Sequence, residues 1–177
     1  MEPSKEKNAE ALKKTMRKLP FPVAIATTAI GKEKRGVTIG SFTSLSMDPP
    51  LVSFNIDRNS QMHDLISRAT HFAIHLPDYE QCRLCDHFAI PGQSGEEQFG
   101  KVDHYRNGYG SPILKNISAI IQCRAYEQFK AGDHSIFVGE VIEVDHRESE
   151  PSILYYDQSY RSVGEKVPQM ARVHKSA

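Results

Sequence analysis

Short turns, rather than helices, join the strand-like segments of this 177-residue chain. The clearest example is a pair of long apolar segments, 118–129 and 135–144, which are separated only by the turn Lys130-Ala131-Gly132-Asp133. Parallel strands need a connection of a dozen or more residues, so a turn of this length requires the two strands to be antiparallel. The chain is therefore expected to build its sheet from hairpins.

Shorter segments have the same strand-like character, at 23–28, 37–40, 51–56 and 71–76. Residues 151–163 predict a last strand and a tyrosine-rich segment, and residues 90–112 predict the longest irregular stretch. Six or seven strands without crossover helices favour a mainly β fold, an antiparallel barrel with peripheral helices, over a doubly wound sheet.

Helical patterns are found in three places. Residues 4–19 have apolar side chains at one face of a 3.6-residue period, at Ala9, Leu12, Met16 and Leu19. A second helix is expected to carry Met62, Leu65, Ile66 and Ala69, and a third, over about 79–89, begins with Asp78 and Gln81 in capping-box spacing.

Composition excludes several classes of protein. Lys and Arg together number 22, as do Asp and Glu, so the formal net charge is zero and no basic surface for nucleic acid is indicated. No apolar stretch approaches the roughly 20 residues of a membrane span, and the polar N-terminus predicts no secretory signal. Three cysteines fit a reducing cytoplasm better than a disulfide framework. The length suits a single domain over 1–177, with a core at about 10–163 and a tail at 164–177.

The segment Ser41-Phe42-Thr43-Ser44-Leu45-Ser46 is rich in small and hydroxylated residues. Hydroxyl and backbone N–H groups in an extended segment can bind the polar edge of a flat ring system. Taken alone, such a segment is more often an ordinary polar barrel rim.

The loop Asp57-Arg58-Asn59-Ser60 follows a strand and precedes a helix. Its N–H groups and the arginine could hold a phosphate, although helix capping by Asn59 or Ser60 explains the same residues. Two further candidates are His134, in Gly132-Asp133-His134 at a hairpin, and the tyrosines of 155–161, which could stack on a heterocycle or simply pack.

The pair Cys82-x-x-Cys85 invites a zinc or thiol–disulfide interpretation. No second cysteine pair accompanies it, and the two thiols share one face of the expected helix. We therefore expect a core role and no metal site.

In their order along the chain, these motifs resemble the short-chain flavin reductase family, which includes the reductase components of two-component flavin monooxygenases. The resemblance is carried chiefly by Gly36-Val37-Thr38, by the run from Ser41 through Asp48-Pro49-Pro50 to Val52, and by Gly132-Asp133-His134 through Val141. Supporting matches are 95–99, 110–114, 151–156 and Tyr160-Arg161, so the likeness spans roughly residues 10–163.

The resemblance implies an FMN-binding split β-barrel with Greek-key-like topology that forms a homodimer. It also implies that Ser41, Phe42, Thr43 and Ser44 line the flavin ring and ribityl chain, and that Arg58, Asn59 and Ser60 hold the phosphate. His134 and Tyr160 would lie on the nicotinamide side as catalytic residues.

The expected activity is hydride transfer from NADH or NADPH to FMN, or to FAD, with reduced flavin passed to a partner monooxygenase. An FMN-binding electron carrier reduced by a protein partner, and a ligand-binding split barrel without redox activity, are the alternatives.

Two places depart from the family pattern. His104 and Tyr105 follow Val102-Asp103 where relatives often carry Val-Asp-Trp, and Gln158-Ser159 stands where relatives often have a glycine pair. The resemblance implies that both lie near the substrate face.

Overall fold

The computed structural model describes residues 4–147 and 152–165. The helices of these residues are α1 (Lys5–Met16), α2 (Gln61–Arg68), α3 (Cys82–Ala89, preceded by a 3₁₀ turn at Tyr79–Gln81) and α4 (Gly95–Phe99). The strands are β1 (Phe21–Pro22), β2 (Ala24–Ile30), β3 (Glu33–Ile39), β4 (Thr43–Met47), β5 (Pro50–Asp57), β6 (His71–Leu76), β7 (His104–Arg106), β8 (Pro112–Leu114), β9 (Ala119–Ala131), β10 (His134–His146), β11 (Leu154–Tyr156) and β12 (Ser159–Arg161).

Seven strands form one sheet in the order β3-β2-β6-β9-β10-β5-β4, and all of its pairings are antiparallel. The edge strand β3 also contacts β5, which lies near the opposite edge of the sheet. The sheet therefore curls towards a barrel. Small sheets β1-β11-β12 and β7-β8 lie beside it. The mainly β, antiparallel barrel expected from the short turns is confirmed.

The long hairpin β9–β10 extends further than the sequence indicated. Lys130 pairs with Ser135 and Ala131 with His134, which leaves only Gly132-Asp133 as the turn. Gly132 has φ +62°, the left-handed conformation that tight hairpins require and that glycine adopts without a steric penalty.

Two apolar clusters fill the interior. The first lies among the strands of the large sheet and α2, where the Phe54 ring meets Phe72 edge-on at 5.3 Å. The second lies under α3, α4 and β8. Cys85 belongs to this second cluster, and burial raises the pKa of its thiol to about 12, which supports the core role expected for the cysteine pair.

The stretch 90–112 was wrongly predicted to be irregular throughout, because it contains α4 and β7. A capping box between Ser94 and Glu97 starts the helix. The buried Gln98 side chain then accepts from the N–H of Gly36 and donates to its C=O, as a neighbouring strand would. This tertiary contact has no periodic sequence signal.

Helix α1 is shorter than predicted and packs less than its pattern indicated. After Arg17 the bonds are of the i→i−3 type, from Lys18 to Thr15 and from Leu19 to Met16, because Pro20 follows. None of its residues is buried, and Leu12 is 61% exposed. Of the helices described, none has both the length and the apolar character that crossing a membrane requires.

Candidate functional site

A cavity of about 460 Å³ lies where the end of β3 faces the end of β5 and the start of β10. The β5–β10 register, which pairs Asp57 with His134, brings two distant predicted motifs together. The lining residues are Phe21, Val37, Thr38, Ile39, Gly40, Ser41, Asn55, Ile56, Asp57, Ser60 and His134. Three predicted site residues, Ser41, Ser60 and His134, therefore share one cavity.

Ser41 joins the segment after β3 to β5. Its Oγ accepts from the N–H of Asn55 at 2.9 Å and donates to the Asn55 C=O at 3.4 Å. The hydroxyl thus takes the place of a neighbouring strand's backbone groups in hydrogen bonding to Asn55, and it holds the cavity wall in position. Asn55 was not identified from the sequence, since an exposed asparagine in a strand carries no distinctive signal.

The rest of the Ser-Phe-Thr-Ser segment lies outside this lining. Phe42 packs against the first apolar cluster, whereas Thr43 and Ser44 are exposed at the start of β4 and pair with Ser53 and Val52. Their roles as flavin contacts stay predictions.

The loop 57–60 is held by its own hydrogen bonds. The Asp57 carboxylate accepts from the N–H of Asn59 at 2.8 Å, and the Ser60 hydroxyl donates to the Asp57 C=O at 2.8 Å. Ser60 Oγ also accepts from the N–H of His63, so Ser60 caps α2. The capping interpretation is confirmed for Ser60, and it leaves the same residue on the cavity wall.

Arg58 is tied to the β9–β10 turn. Its N–H donates to the Asp133 C=O at 2.9 Å, and its guanidinium donates to the Gly132 C=O at 3.3 Å. Arg58 is exposed, and among the described residues its guanidinium is positioned by the backbone rather than by a carboxylate.

His134 begins β10, and its side chain is 45% exposed. Its Nδ1 lies 2.8 Å from the Asp133 carboxylate, which lowers the pKa of that carboxyl. Because Nδ1 donates to Asp133, the ring orientation is fixed and Nε2 remains for a ligand.

A second cavity, of about 450 Å³, adjoins the first. Thr38, Ile39 and Gly40 line both, so the end of β3 is a common wall, and we call the two together the β3 groove. The second cavity is completed by Val23, Asp86, Ala89, Tyr155, Gln158, Ser159 and Tyr160.

Tyr160 packs against the second apolar cluster and meets Tyr155 edge-on at 5.5 Å. Burial raises the pKa of its phenol, and neighbouring Cys85 and Asp86 raise it further. The phenol is therefore a neutral O–H donor at physiological pH. Asp86 was missed by sequence reasoning, because only the folding of α3 against β12 brings it here.

The two departures from the family pattern separate in space. Gln158-Ser159 lie on the β3 groove as expected, but His104 and Tyr105 line a different cavity, at the opposite end of β3. The expectation that both would lie at one face is wrong for His104 and Tyr105, because β7 pairs with β8 against the β2–β3 turn.

Residues 16–164 match the sequence profile described as "Flavin reductase like domain". The chain belongs to this family. It is 33% identical over 144 residues to "FMN reductase (NADH) SmoA" of Agrobacterium fabrum, covering 81% of this chain and 80% of that protein. It is 29% identical over 153 residues to the reductase component of 4-hydroxyphenylacetate 3-monooxygenase from Thermus thermophilus, covering 86% and 95%.

Solved structures agree with the family assignment. The NADH:FAD oxidoreductase SgcE6 of Streptomyces globisporus superimposes with a TM-score of 0.83 at 27% identity, covering 96% of each chain. The flavin reductase HpaC, complexed with NADP+, superimposes with a TM-score of 0.81 at 35% identity, covering 88% of this chain and 97% of HpaC. The resemblance drawn from the motifs and the split-barrel fold are both confirmed.

Proposed function

We propose that this member of the flavin reductase-like family transfers hydride from NADH to a flavin bound in the β3 groove. The observation that carries the proposal is the shared wall of Thr38, Ile39 and Gly40. A cavity lined by His134 thus adjoins a cavity lined by Tyr155 and Tyr160. Hydride transfer requires the nicotinamide to lie against the flavin ring, and two adjoining cavities allow that contact.

The first cavity suits the flavin. Its volume of about 460 Å³ lies in the usual range for cofactor sites. Arg58, next to the lining residue Asp57, is exposed and its guanidinium can donate to a phosphate, while Ser41 and Asn55 line the same cavity as polar residues. We assign Arg58, Asn59 and Ser60 to the phosphate, and Ser41, Phe42, Thr43 and Ser44 to the ring and ribityl chain.

The second cavity suits the nicotinamide. Flavin bound in the groove supplies a hydride acceptor at N5, and the protein's task is to hold the donor carbon within roughly 3–3.5 Å of it. Tyr160 forms a neutral aromatic wall of the second cavity, and His134, held by Asp133 on the wall of the first cavity, offers Nε2 to a ligand. Neither residue needs to act as a strong acid or base.

Relatives support the choice of substrates. SmoA is named an NADH-dependent FMN reductase, and a Streptomyces globisporus relative an NADH-dependent FAD reductase. We therefore propose NADH as donor and FMN or FAD as acceptor. NADPH is the second donor to test, since HpaC was solved with NADP+.

The assembly and partner follow the same reasoning. Relatives include reductase components of a 4-hydroxyphenylacetate monooxygenase and a resorcinol hydroxylase, which supports delivery of reduced flavin to a partner monooxygenase. We also propose a homodimer, a cytoplasmic location supported by three free cysteines, and a single domain over 1–177. Of the predicted tail 164–177, residues 166–177 lie outside the described residues.

The test is anaerobic titration of the FMN-loaded protein with NADH and then NADPH, followed by the flavin absorbance. Bleaching with about one equivalent of NADH is expected. Flavin that binds but stays oxidised would favour the electron carrier, and a protein that ignores FMN would favour the non-redox alternative.

A pair of variants tests whether His134 takes part in hydride transfer. His134→Ala is expected to slow flavin reduction in a single turnover by about tenfold or more while FMN affinity changes little, because one positioned hydrogen bond is lost. His146→Ala, at the far end of the same strand, is the control. Unchanged reduction in His134→Ala would remove His134 from the mechanism.

A further inference from the structure

A third cavity, of about 340 Å³, lies at the end of β3 opposite to the β3 groove. It opens between the β2–β3 turn and the β7–β8 hairpin. Its lining is Ala29, Gly31, Lys32, Lys34, His104, Tyr105, Arg106 and Pro112. No lining residue is shared with the β3 groove, and the nearest lining residues along β3, Lys34 and Val37, are three positions apart, or about 10 Å in an extended strand.

The charge of this cavity is unbalanced. Lys32, Lys34 and Arg106 line it, and none of its lining residues is acidic. Among residues 4–147 and 152–165, no carboxylate lies within 4.0 Å of these three cations, whereas neighbouring Glu33 is directed to Arg68. Three like charges without a counter-charge attract an anion into a concave site.

Arg106 is held in position before any ligand arrives. Its Nε donates to the Gly110 C=O and its Nη1 to the Gly31 C=O, each at 2.7 Å. The guanidinium therefore bridges the two turns that form the mouth of the cavity. A planar group fixed by backbone carbonyls can direct its other N–H groups to an oxyanion at little entropic cost.

Lys34 is also positioned by neutral partners. Its ammonium donates to Nε2 of His104 at 2.9 Å and lies 5.1 Å from the centre of the Phe99 ring. His104 can accept this bond because its Nδ1 donates to the Val102 C=O at 2.8 Å. One of the three ammonium protons is used, so two remain for a ligand.

We propose that this cavity is a binding site for the phosphate group of a small molecule, separate from the flavin and nicotinamide sites. Arg106 and Lys34 would donate to the phosphate oxygens, and Lys32 would add charge from the turn. Three cations favour a dianionic phosphate over a monoanionic carboxylate. Tyr105, 49% exposed, with Ala29 and Pro112, offers an apolar wall to the rest of the ligand.

The experiment is titration of the full chain with inorganic phosphate and with phenyl phosphate, in the presence and absence of saturating FMN. Calorimetry gives the affinity, and amide NMR shifts locate the ligand. We expect shifts at Gly31, Lys32 and Tyr105 that persist when FMN is present, and tighter binding of phenyl phosphate than of inorganic phosphate. Shifts confined to Arg58 and Ser60, or shifts abolished by FMN, would overturn the proposal.

Matched variants test the residues. Lys32→Gln with Lys34→Gln is expected to weaken phenyl phosphate binding by about tenfold or more, as is Arg106→Gln alone, because charge-assisted hydrogen bonds are lost. The control is Lys14→Gln with Lys18→Gln, which removes two positive charges from exposed residues, one in α1 and one just after it. This control should change the affinity less than twofold. An equal loss in this control would show that only net charge matters and would overturn the assigned site. Retained FMN binding and thermal midpoint in each variant establish that the fold is intact.

Discussion

The two sides of the β3 groove are built in different ways. The first cavity is bounded by β5 and β10 of the large sheet, whose register fixes Asp57 against His134. The second is bounded by the small hairpin β11–β12, whose strand pairing with the rest of the described chain is to the two residues of β1. The proposed flavin side is thus part of the core, whereas the proposed nicotinamide side is an attached wall. Changes to the buried packing of the sheet should alter stability and flavin binding together, and changes in the hairpin should alter hydride transfer alone.

The largest effect is expected where the first cavity meets the core. Phe54, fully buried beside Asn55, packs against Phe72 and Phe137. Phe54→Ala should lower the free energy of unfolding by about 3–5 kcal/mol, since it leaves a large cavity. Denaturant unfolding measures this loss, and FMN affinity should fall with it. If Phe54→Ala keeps full FMN affinity although its free energy of unfolding is lower, the packing of the sheet does not control the proposed flavin side.

A pH effect of similar size is expected from His75 in β6. Its Nδ1 donates to the Ile25 C=O, its Nε2 accepts from the N–H of Leu114, and burial lowers its pKa to about 4. In the unfolded chain the His75 ring binds a proton below about pH 6.5. Above that pH the contribution of His75 to the free energy of unfolding is therefore fully present. It should fall by about 3 kcal/mol between pH 6.5 and 4. NMR titration should find His75 unprotonated down to pH 5, and an ordinary titration near 6.5 would contradict the assignment.

A smaller effect is expected at Ser41, where the sheet meets the flavin. Ser41→Ala removes both bonds to Asn55, which should cost about 1–2 kcal/mol of stability and weaken FMN binding. Thr43→Ala, at an exposed residue, is the control for stability. Equal stability of the two variants would show that Ser41 does not hold the wall.

The smallest effect is expected in the hairpin turn. Asp157 and Gln158 have φ of 45° and 61°, a conformation that costs an ordinary side chain roughly 1 kcal/mol. Gln158→Gly should therefore raise the unfolding free energy by about 0.5–1 kcal/mol without changing FMN affinity. A loss of stability in thermal unfolding would show that the Gln158 side chain contributes more than its backbone costs.

The sequence predicted those features that depend on local signals. Alternating apolar residues and the Gly132 turn indicated the β9–β10 hairpin, and the Asp78–Gln81 capping box indicated the start of the third helix, which the structure confirms. The residue patterns made Ser41, Ser60, His134 and Tyr160 candidates, the family resemblance gave them roles, and all four lie on the β3 groove.

Features that depend on distant contacts were not predicted. Asn55 and Asp86 reach the groove only through the pairing of β5 and the packing of α3. The positions of His104 and Tyr105 depend on how β7–β8 docks on the β2–β3 turn, and no local pattern encodes that contact.

The most direct test of the two-sided groove is stopped-flow reduction of FMN-loaded Tyr160→Ala by NADH under anaerobic conditions, with FMN affinity measured alongside. The account predicts an FMN dissociation constant within about twofold of the unmodified protein and hydride transfer slowed by about tenfold or more, because only the nicotinamide wall is lost. Weakened FMN binding with an unchanged rate of hydride transfer at saturating NADH would contradict the assignment of the two cavities.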